Sequence, residues 1–258
     1  MESDIERAAS LLLKAEYVTC LTGAGVSVES GIRPFRGPGG LWTEYGEPPM
    51  NGYKLFLADP KAHWERQLKR EGHAEEMASA FAKAKPNPAH LALAEMERLG
   101  VLKYVITQNV DNLHRAAGQK NLAEIHGNRM LLRCIDCGKR YTREEIPITE
   151  LPPHCPNCRG IVKGDGVMFG EPIPTDVLTV CQEESGRSDC VLLVGTSAVV
   201  YPAAAFPQAV KRKGGYLVEV DPYETALTNM CTVSLRGRAG EVLPRLVSSL
   251  RRKLEKAV

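Results

Sequence analysis

A chain of 258 residues, 43% of them hydrophobic and 25% charged, has the make-up of an ordinary globular protein, with room for one large domain carrying insertions or for a large domain plus a small one. The formal net charge of +2 is too small to imply nucleic acid or an anionic membrane as the partner. The acidic start Met1-Glu2-Ser3-Asp4 lacks the apolar core of a signal peptide, and no apolar run approaches membrane-spanning length, so a cytoplasmic protein is expected.

Ser3-Asp4-Ile5-Glu6 has the form of a capping box, and Ile5, Ala8, Ala9, Leu12 and Leu13 recur at helical spacing, which predicts a first helix ending near Lys14-Ala15. Tyr17-Val18-Thr19-Cys20-Leu21 is short, apolar and β-prone, a buried strand that runs straight into Gly23-Ala24-Gly25. Glycines there permit positive φ and close approach of the backbone to a ligand, and Ser27, Glu29 and Ser30 stand where a following helix begins. Such a turn presents backbone N–H groups to a phosphate. The third glycine of the dinucleotide fingerprint is missing, and a tight turn without a ligand is the plain alternative. The continuation through Arg33, Phe35, Arg36 and four glycines to Trp42 suits a lid over a charged ligand.

Between 43 and 85 no strand is evident, and 62–70 and 74–83 read as helices of a small lobe. Asn87-Pro88 starts a helix that stops at Gly100, and 101–107 is a buried strand. The polar cluster from Gln108 through Asn109, Asp111 and His114 follows it, where open α/β sheets bind ligands. A short helix to Ala117, a strand at 122–125 and His126-Gly127 come next. After an interruption at 128–166 the rhythm resumes with a helix at 175–184, a strand at 190–194, the turn Gly195-Thr196-Ser197, a helix at 202–213, strands at 215–220 and 232–235, and a helix at 239–256. Alternation of this kind predicts an α/β fold with a doubly wound parallel sheet.

Within the interruption, Cys134-Ile135-Asp136-Cys137 and Cys155-Pro156-Asn157-Cys158 have the spacing of two knuckles sharing one structural Zn2+, against a redox CxxC as the alternative. Four cysteines leave no coordination position open, so the metal would hold structure and not activate water. Basic residues of the ribbon are offset by Glu144, Glu145 and Glu150, and no specific nucleic acid is expected.

GAGVSVESGI with FRGPGGLW, TQNVDNLH, His126-Gly127, the four cysteines, VMFGE, GTSAVVYPAA and LRGRAGE, taken together from Gly23 to Glu241, resemble the sirtuins, a family of NAD-dependent protein lysine deacylases. The resemblance implies a Rossmann-like NAD domain at 1–43, 87–127 and 167–258, and a small domain made of a helical insertion at 44–86 and a zinc ribbon at 128–166. It implies that NAD is consumed as co-substrate in a cleft that also takes an acyl-lysine protein or peptide. Gly23, Ala24, Gly25, Glu29, Phe35, Arg36, Trp42, Gln108, Asn109, Asp111, Gly195, Thr196, Ser197, Asp221 and Ala239 fall at its NAD positions, with asparagine common in relatives where Asp221 stands. Val167, Phe169, Gly170 and Glu171 match the segment that pairs with the substrate peptide.

His126, with Asn109 and Asp111, is implied as the catalytic set. A neutral imidazole can take a proton from a ribose hydroxyl near pH 7, and deacylated lysine, nicotinamide and O-acyl-ADP-ribose result. The motif tails resemble the subgroup that removes succinyl and malonyl groups through a Tyr-x-x-Arg pair, for which Gln67 and Arg70 stand here. Deacetylation is the first expectation, and acidic-acyl removal, with the carboxylate held by that pair, is the second. The alternatives are an NAD-dependent protein ADP-ribosyltransferase on the same scaffold and a zinc-ribbon nucleic-acid module.

Overall fold

The protein is described by a computed structural model over residues 2–69 and 73–256. Its first helix, α1 (Glu2–Lys14), lays Ile5, Ala8, Ala9 and Leu12 on the core and leads to strand β1 (Val18–Thr22). Every residue of β1 is buried, as a strand covered on both faces must be. The predicted helix after the glycine turn is a 3-10 helix, Ala24–Ser30, closed by Gly31 in the left-handed region. Two short helices in the insertion, α2 (Leu41–Tyr45) and α3 (Gly52–Ala58), escaped the periodicity reading because neither is long enough to repeat a face. Then come α4 (Pro60–Lys69) and α5 (His73–Lys83).

Helix α6 (Pro88–Arg98) starts as its residues predict: the Asn87 side chain accepts from the Ala89 amide at 2.9 Å, and Pro88 occupies the first turn. The chain continues through β2 (Leu102–Thr107), α7 (Leu113–Ala116), β3 (Leu122–Glu124), and the ribbon strands β4 (Leu131–Cys134), β5 (Arg140–Thr142) and β6 (Val162–Gly164). It closes with α8 (Thr175–Arg187), β7 (Cys190–Val194), α9 (Ala205–Arg212), β8 (Tyr216–Val220), β9 (Val233–Leu235) and α10 (Ala239–Glu255).

The large sheet has the order β3-β2-β1-β7-β8-β9, and every adjacent pair is parallel. From β1 the chain steps outward to β3, then restarts at β7 on the other side of β1. The point where the winding reverses therefore lies between β1 and β7, and its crevice opens at their carboxyl ends. One face of the sheet packs on α1, α6 and α10, where Leu93, Met96, Leu243 and Leu246 are buried, and the other packs on α8 and α9 through Cys181 and Val210. The ribbon is a separate antiparallel sheet, β5-β4-β6. Its core takes in Trp64 of α4, whose indole N–H donates to the Val162 carbonyl at 2.9 Å, so the insertion and the ribbon share apolar packing.

Candidate active site and zinc ribbon

The glycine turns after β1 and β7 face each other across the switch point. The Gly23 amide donates to the Val194 carbonyl at 3.1 Å and the Gly25 amide to the Gly195 carbonyl at 2.9 Å. A Cβ on Gly25 would lie 2.6 Å from the Gly195 Cα, and one on Gly23 would lie 2.8 Å from the Gly195 oxygen. The sequence permits positive φ here and predicts free amides. Instead Gly23 is extended at φ −130°, Gly25 has no positive φ, and both amides are already bonded, so these glycines serve the close approach of two turns. Gly195, at φ 56°, is the one that needs the left-handed region.

Above the paired turns lies a cleft of about 290 Å³ with Gly25, Glu29, Arg36, Gly195, Tyr223 and Arg238 in its walls. Two arginines give it the charge to receive an anion, and Ala24 sits on the 3-10 turn beneath it. Glu29 belongs to the wall by another route than a free side chain: its carboxylate accepts the Gly240 amide at 2.7 Å, fastening the 3-10 helix to the start of α10 beside buried Ala239. Arg36 stacks 4.5 Å from the Trp42 ring centre and pairs with Glu47 at 2.9 Å. Phe35 stacks on Trp42 at 4.7 Å, and Trp42 meets Phe169 at 5.6 Å, an aromatic row that carries the lid loop toward the 167–171 segment.

At the end of β2 the side chains of Gln108, Asn109 and Asp111 are all hydrogen-bonded. Gln108 Nε2 donates to Thr196 Oγ1 at 2.8 Å, and buried Asn109 Nδ2 donates to the Gly23 carbonyl and to Ser27 Oγ, both at 3.1 Å. Asp111 Oδ2 accepts from Ser27 Oγ at 2.6 Å. Ser197 is exposed beyond Thr196. Asp221 accepts the Tyr223 amide at 2.9 Å between the cleft-lining Val220 and Pro222, and desolvation raises its carboxyl above the ordinary value.

To this cluster the structure adds His90, which meets the predicted His114. His90 lies 3.5 Å from Ser27 Oγ, its ring 4.9 Å edge-on to that of His114, and His114 Nε2 meets Thr22 Oγ1 at 3.0 Å. Burial lowers His90 to about 4 and His114 to about 3, so both are neutral. Nothing in the linear sequence singles out His90. The signal was hidden because Asn87-Pro88-Ala89-His90 reads as a helix start, and its Nδ1 does accept the Asn87 amide at 3.3 Å.

His126 is half-buried just after β3, and its Nδ1 lies 3.1 Å from the Gln108 carbonyl. A carbonyl only accepts, so Nδ1 carries the hydrogen and Nε2 keeps its lone pair. Burial lowers the imidazole below its ordinary value, partly opposed by that hydrogen bond. The His126 carbonyl accepts the Val167 amide at 2.9 Å. Residues 167–171 are irregular and end in a turn that Glu171 closes by donating its amide to the Met168 carbonyl at 3.0 Å. Phe169 is tied to the insertion through the Tyr53 amide at 3.0 Å, and Gly170 is exposed at φ 79°. The Glu171 side chain is turned in toward Arg133 and Lys163. Gln67 is exposed near the end of α4, and Arg70 lies outside the described residues.

Cys134, Cys137, Cys155 and Cys158 bring their sulfurs within 4.8 Å of one another. Two of the separations are 3.4 Å (Cys134 to Cys158) and 3.8 Å (Cys137 to Cys155). A tetrahedron with Zn–S arms of about 2.3 Å has edges of about 3.8 Å, so the donor set fits zinc. Tyr141 Oη lies 3.0 Å from Cys155 Sγ, in position to donate to a ligand thiolate.

A parallel sheet with a charged cleft at its switch point, an oriented histidine just after β3 and a four-cysteine ribbon define an α/β protein with a crevice for an anionic ligand and a zinc-fitting ribbon. Comparison sharpens that class. The Sir2 family profile matches residues 23–202. The NAD-dependent protein deacylase of Pyrococcus furiosus is 44% identical over 249 residues, covering 95% of this chain and 97% of that protein. A Sir2 homologue mutant solved in complex with ADP-ribose superposes with a TM-score of 0.83 at 41% identity, covering 97% of this chain and 98% of that one. A Sir2 mutant solved with a deacetylated p53 peptide and 3'-O-acetyl ADP-ribose has a TM-score of 0.79 at 34% identity, covering 95% and 97%. The chain belongs to the Sir2 family.

Proposed function

We propose that this protein is an NAD-dependent protein lysine deacylase, and that His126 is its general base. The observation that carries the reading is the pinned imidazole: Nδ1 is held by the Gln108 carbonyl, which leaves a neutral Nε2 beside the crevice of a Sir2-family sheet. NAD supplies the electrophilic ribose carbon that accepts the acyl oxygen as nicotinamide leaves, and with one water consumed in breaking the acyl–nitrogen bond the products are nicotinamide, O-acyl-ADP-ribose and free lysine. His126 Nε2 takes the proton of the ribose hydroxyl. Asn109 and Asp111, linked through Ser27 Oγ, hold the loop that faces the nicotinamide end. Arg36, Arg238 and the paired glycine turns receive the pyrophosphate and adenosine half, with Glu29, Ala239 and Asp221 shaping that end. Phe35 and Trp42 form the lid, and 167–170 hold the peptide by its backbone. One structural zinc on the four cysteines keeps the ribbon folded.

Acetyl-lysine is the first substrate of this reading. Removal of succinyl and malonyl groups is its finer extension, supported by the resemblance that places Gln67 and Arg70 at the acyl pocket. A cytoplasmic location belongs to the same reading, because a thiolate zinc site needs reducing surroundings. No helix among the described residues is long and apolar enough to cross a membrane.

The test is incubation with NAD and matched acetyl- and succinyl-lysine peptides for wild type, His126→Ala and Arg70→Met. O-acyl-ADP-ribose from wild type and none from His126→Ala is expected. Label transferred from NAD to protein without free lysine would instead mean ADP-ribosylation. Succinyl turnover unchanged in Arg70→Met would remove the acidic-acyl extension.

A further inference from the structure

The zinc ribbon touches the proposed site through buried charge. The Glu171 side chain is only 2% exposed, and its two oxygens have three partners. Arg133 Nη2 of β4 lies 2.5 Å from Oε1, Lys163 Nζ of β6 lies 3.1 Å from Oε2, and the backbone amide of Met168 donates to Oε2 at 2.8 Å. Lys163 is wholly buried and gives its remaining hydrogens to the Gly164 and Gly166 carbonyls, at 2.8 and 2.7 Å. Arg133 also donates through Nε to Asp165 Oδ1 at 3.0 Å, and Asp165 Oδ2 accepts the Asn128 amide at 2.8 Å.

Two of these bonds end on the backbone of functional segments. One holds Met168, inside the stretch proposed to bind peptide, and the other holds Asn128, two residues after His126. The Val167 amide on the His126 carbonyl, at 2.9 Å, closes the loop between them. Arg133 adjoins the zinc ligand Cys134 on β4, and Cys134 stands opposite Val162 of β6 in the antiparallel register, next to Lys163. Apolar residues would pack this junction with less desolvation, and what they cannot supply is an acceptor for the Met168 amide fixed by two cations at once.

We propose that Glu171, clamped by Arg133 and Lys163, is a positioning residue: it fixes the 167–170 backbone relative to His126 and makes peptide binding depend on the folded state of the ribbon. This inference rests on the deacylase reading. It predicts that the clamp acts on peptide and not on the dinucleotide, because its bond to the backbone ends at Met168 while the cleft for the adenosine half is built from the turns after β1 and β7.

The experiment compares wild type, Glu171→Gln, Glu171→Asp and the charge-balanced double variant Lys163→Met with Glu171→Met, each checked for one zinc per chain and for ADP-ribose binding by calorimetry. Glu171→Gln is expected to raise the KM for an acetyl-lysine peptide about tenfold with the KM for NAD changed less than about twofold. Glu171→Asp should fall between it and wild type. The double variant, which leaves no lone buried charge, should fold, load zinc, bind ADP-ribose and still show the raised peptide KM. Amide exchange at Met168 should speed up in both Glu171→Gln and the double variant, with exchange in β4 and β5, and at Asn128, whose acceptor Asp165 keeps Arg133 and Arg140, unchanged. An unchanged peptide KM in a folded, zinc-loaded variant overturns the inference alone, as does an equal rise in both KM values. Wild-type protein that deacylates no peptide overturns the deacylase reading and this inference with it.

Discussion

The Gly25 amide donates to the Gly195 carbonyl at 2.9 Å, and between the two Cα atoms there is no space for a methyl group. A Cβ on Gly195 would overlap the Val26 amide and approach the Gly25 carbonyl carbon to 2.5 Å, at a φ of +56° that side chains rarely adopt. Gly195→Ala is therefore expected to cost about 3 kcal/mol or more and to abolish ADP-ribose binding. Gly186, inside α8 with nothing within 4 Å of its would-be Cβ, is the control, and Gly186→Ala should gain up to about 1 kcal/mol. Urea titrations of the two variants measure both. A wild-type-like Gly195→Ala would mean that the turns do not pack as described.

Removal of the imidazole should separate chemistry from binding. His126→Ala is expected to lower kcat by about 10²-fold or more, with ADP-ribose affinity nearly unchanged. Because burial lowers the pKa of His126 below 6.5, its neutral form persists as the medium becomes mildly acidic. The acid limb of the kcat/KM profile of wild type should then have its midpoint below 6.5. A midpoint above that value would argue against His126 as the base.

Buried neutral histidines make stability depend on acid. His90 and His114 titrate at about 4 and about 3 in the folded protein against 6.5 when unfolded, so the unfolded chain binds more protons between those limits. Stability from this source is complete above about pH 7, declines as pH falls through 6.5, and is lost by about pH 3, to the extent of several kcal/mol. Melting temperatures at pH 7.5, 6.0 and 5.0 should drop less steeply in His90→Gln than in wild type. Parallel lines would show that His90 is protonated without cost.

Zinc removal should be read by tryptophan. Trp64 is 1% exposed and packs among Leu132, Cys134, Tyr141 and Cys155. Chelation of zinc in a Trp42→Phe background is expected to shift the emission of Trp64 to the red as the ribbon core opens, and Cys155→Ser should do the same without chelator. Emission that stays blue after complete zinc loss would mean that the apolar core holds the ribbon without the metal.

Much of this protein is set by local chemistry that a linear chain displays. The continuous apolar runs of β1 and β7, the cap at Asn87 and the paired CxxC motifs each act over a few residues, and so the alternating α/β order, the start of α6 and the four-sulfur cluster were legible before any coordinates. Short elements such as α2 and α3 were not, because one turn of helix repeats no apolar face.

Only the tertiary structure decided which distant residues meet. Gly25 faces Gly195 because the winding reverses between β1 and β7, and His90 comes under Ser27 because α6 crosses the sheet there. Arg133, Lys163 and Glu171 meet because two ribbon strands and a returning loop exclude water from one point. A sequence shows that such residues are glycine, histidine or charged. Which bond each one makes is fixed by the packing of segments many residues apart, where burial leaves a polar group no partner but the one brought beside it.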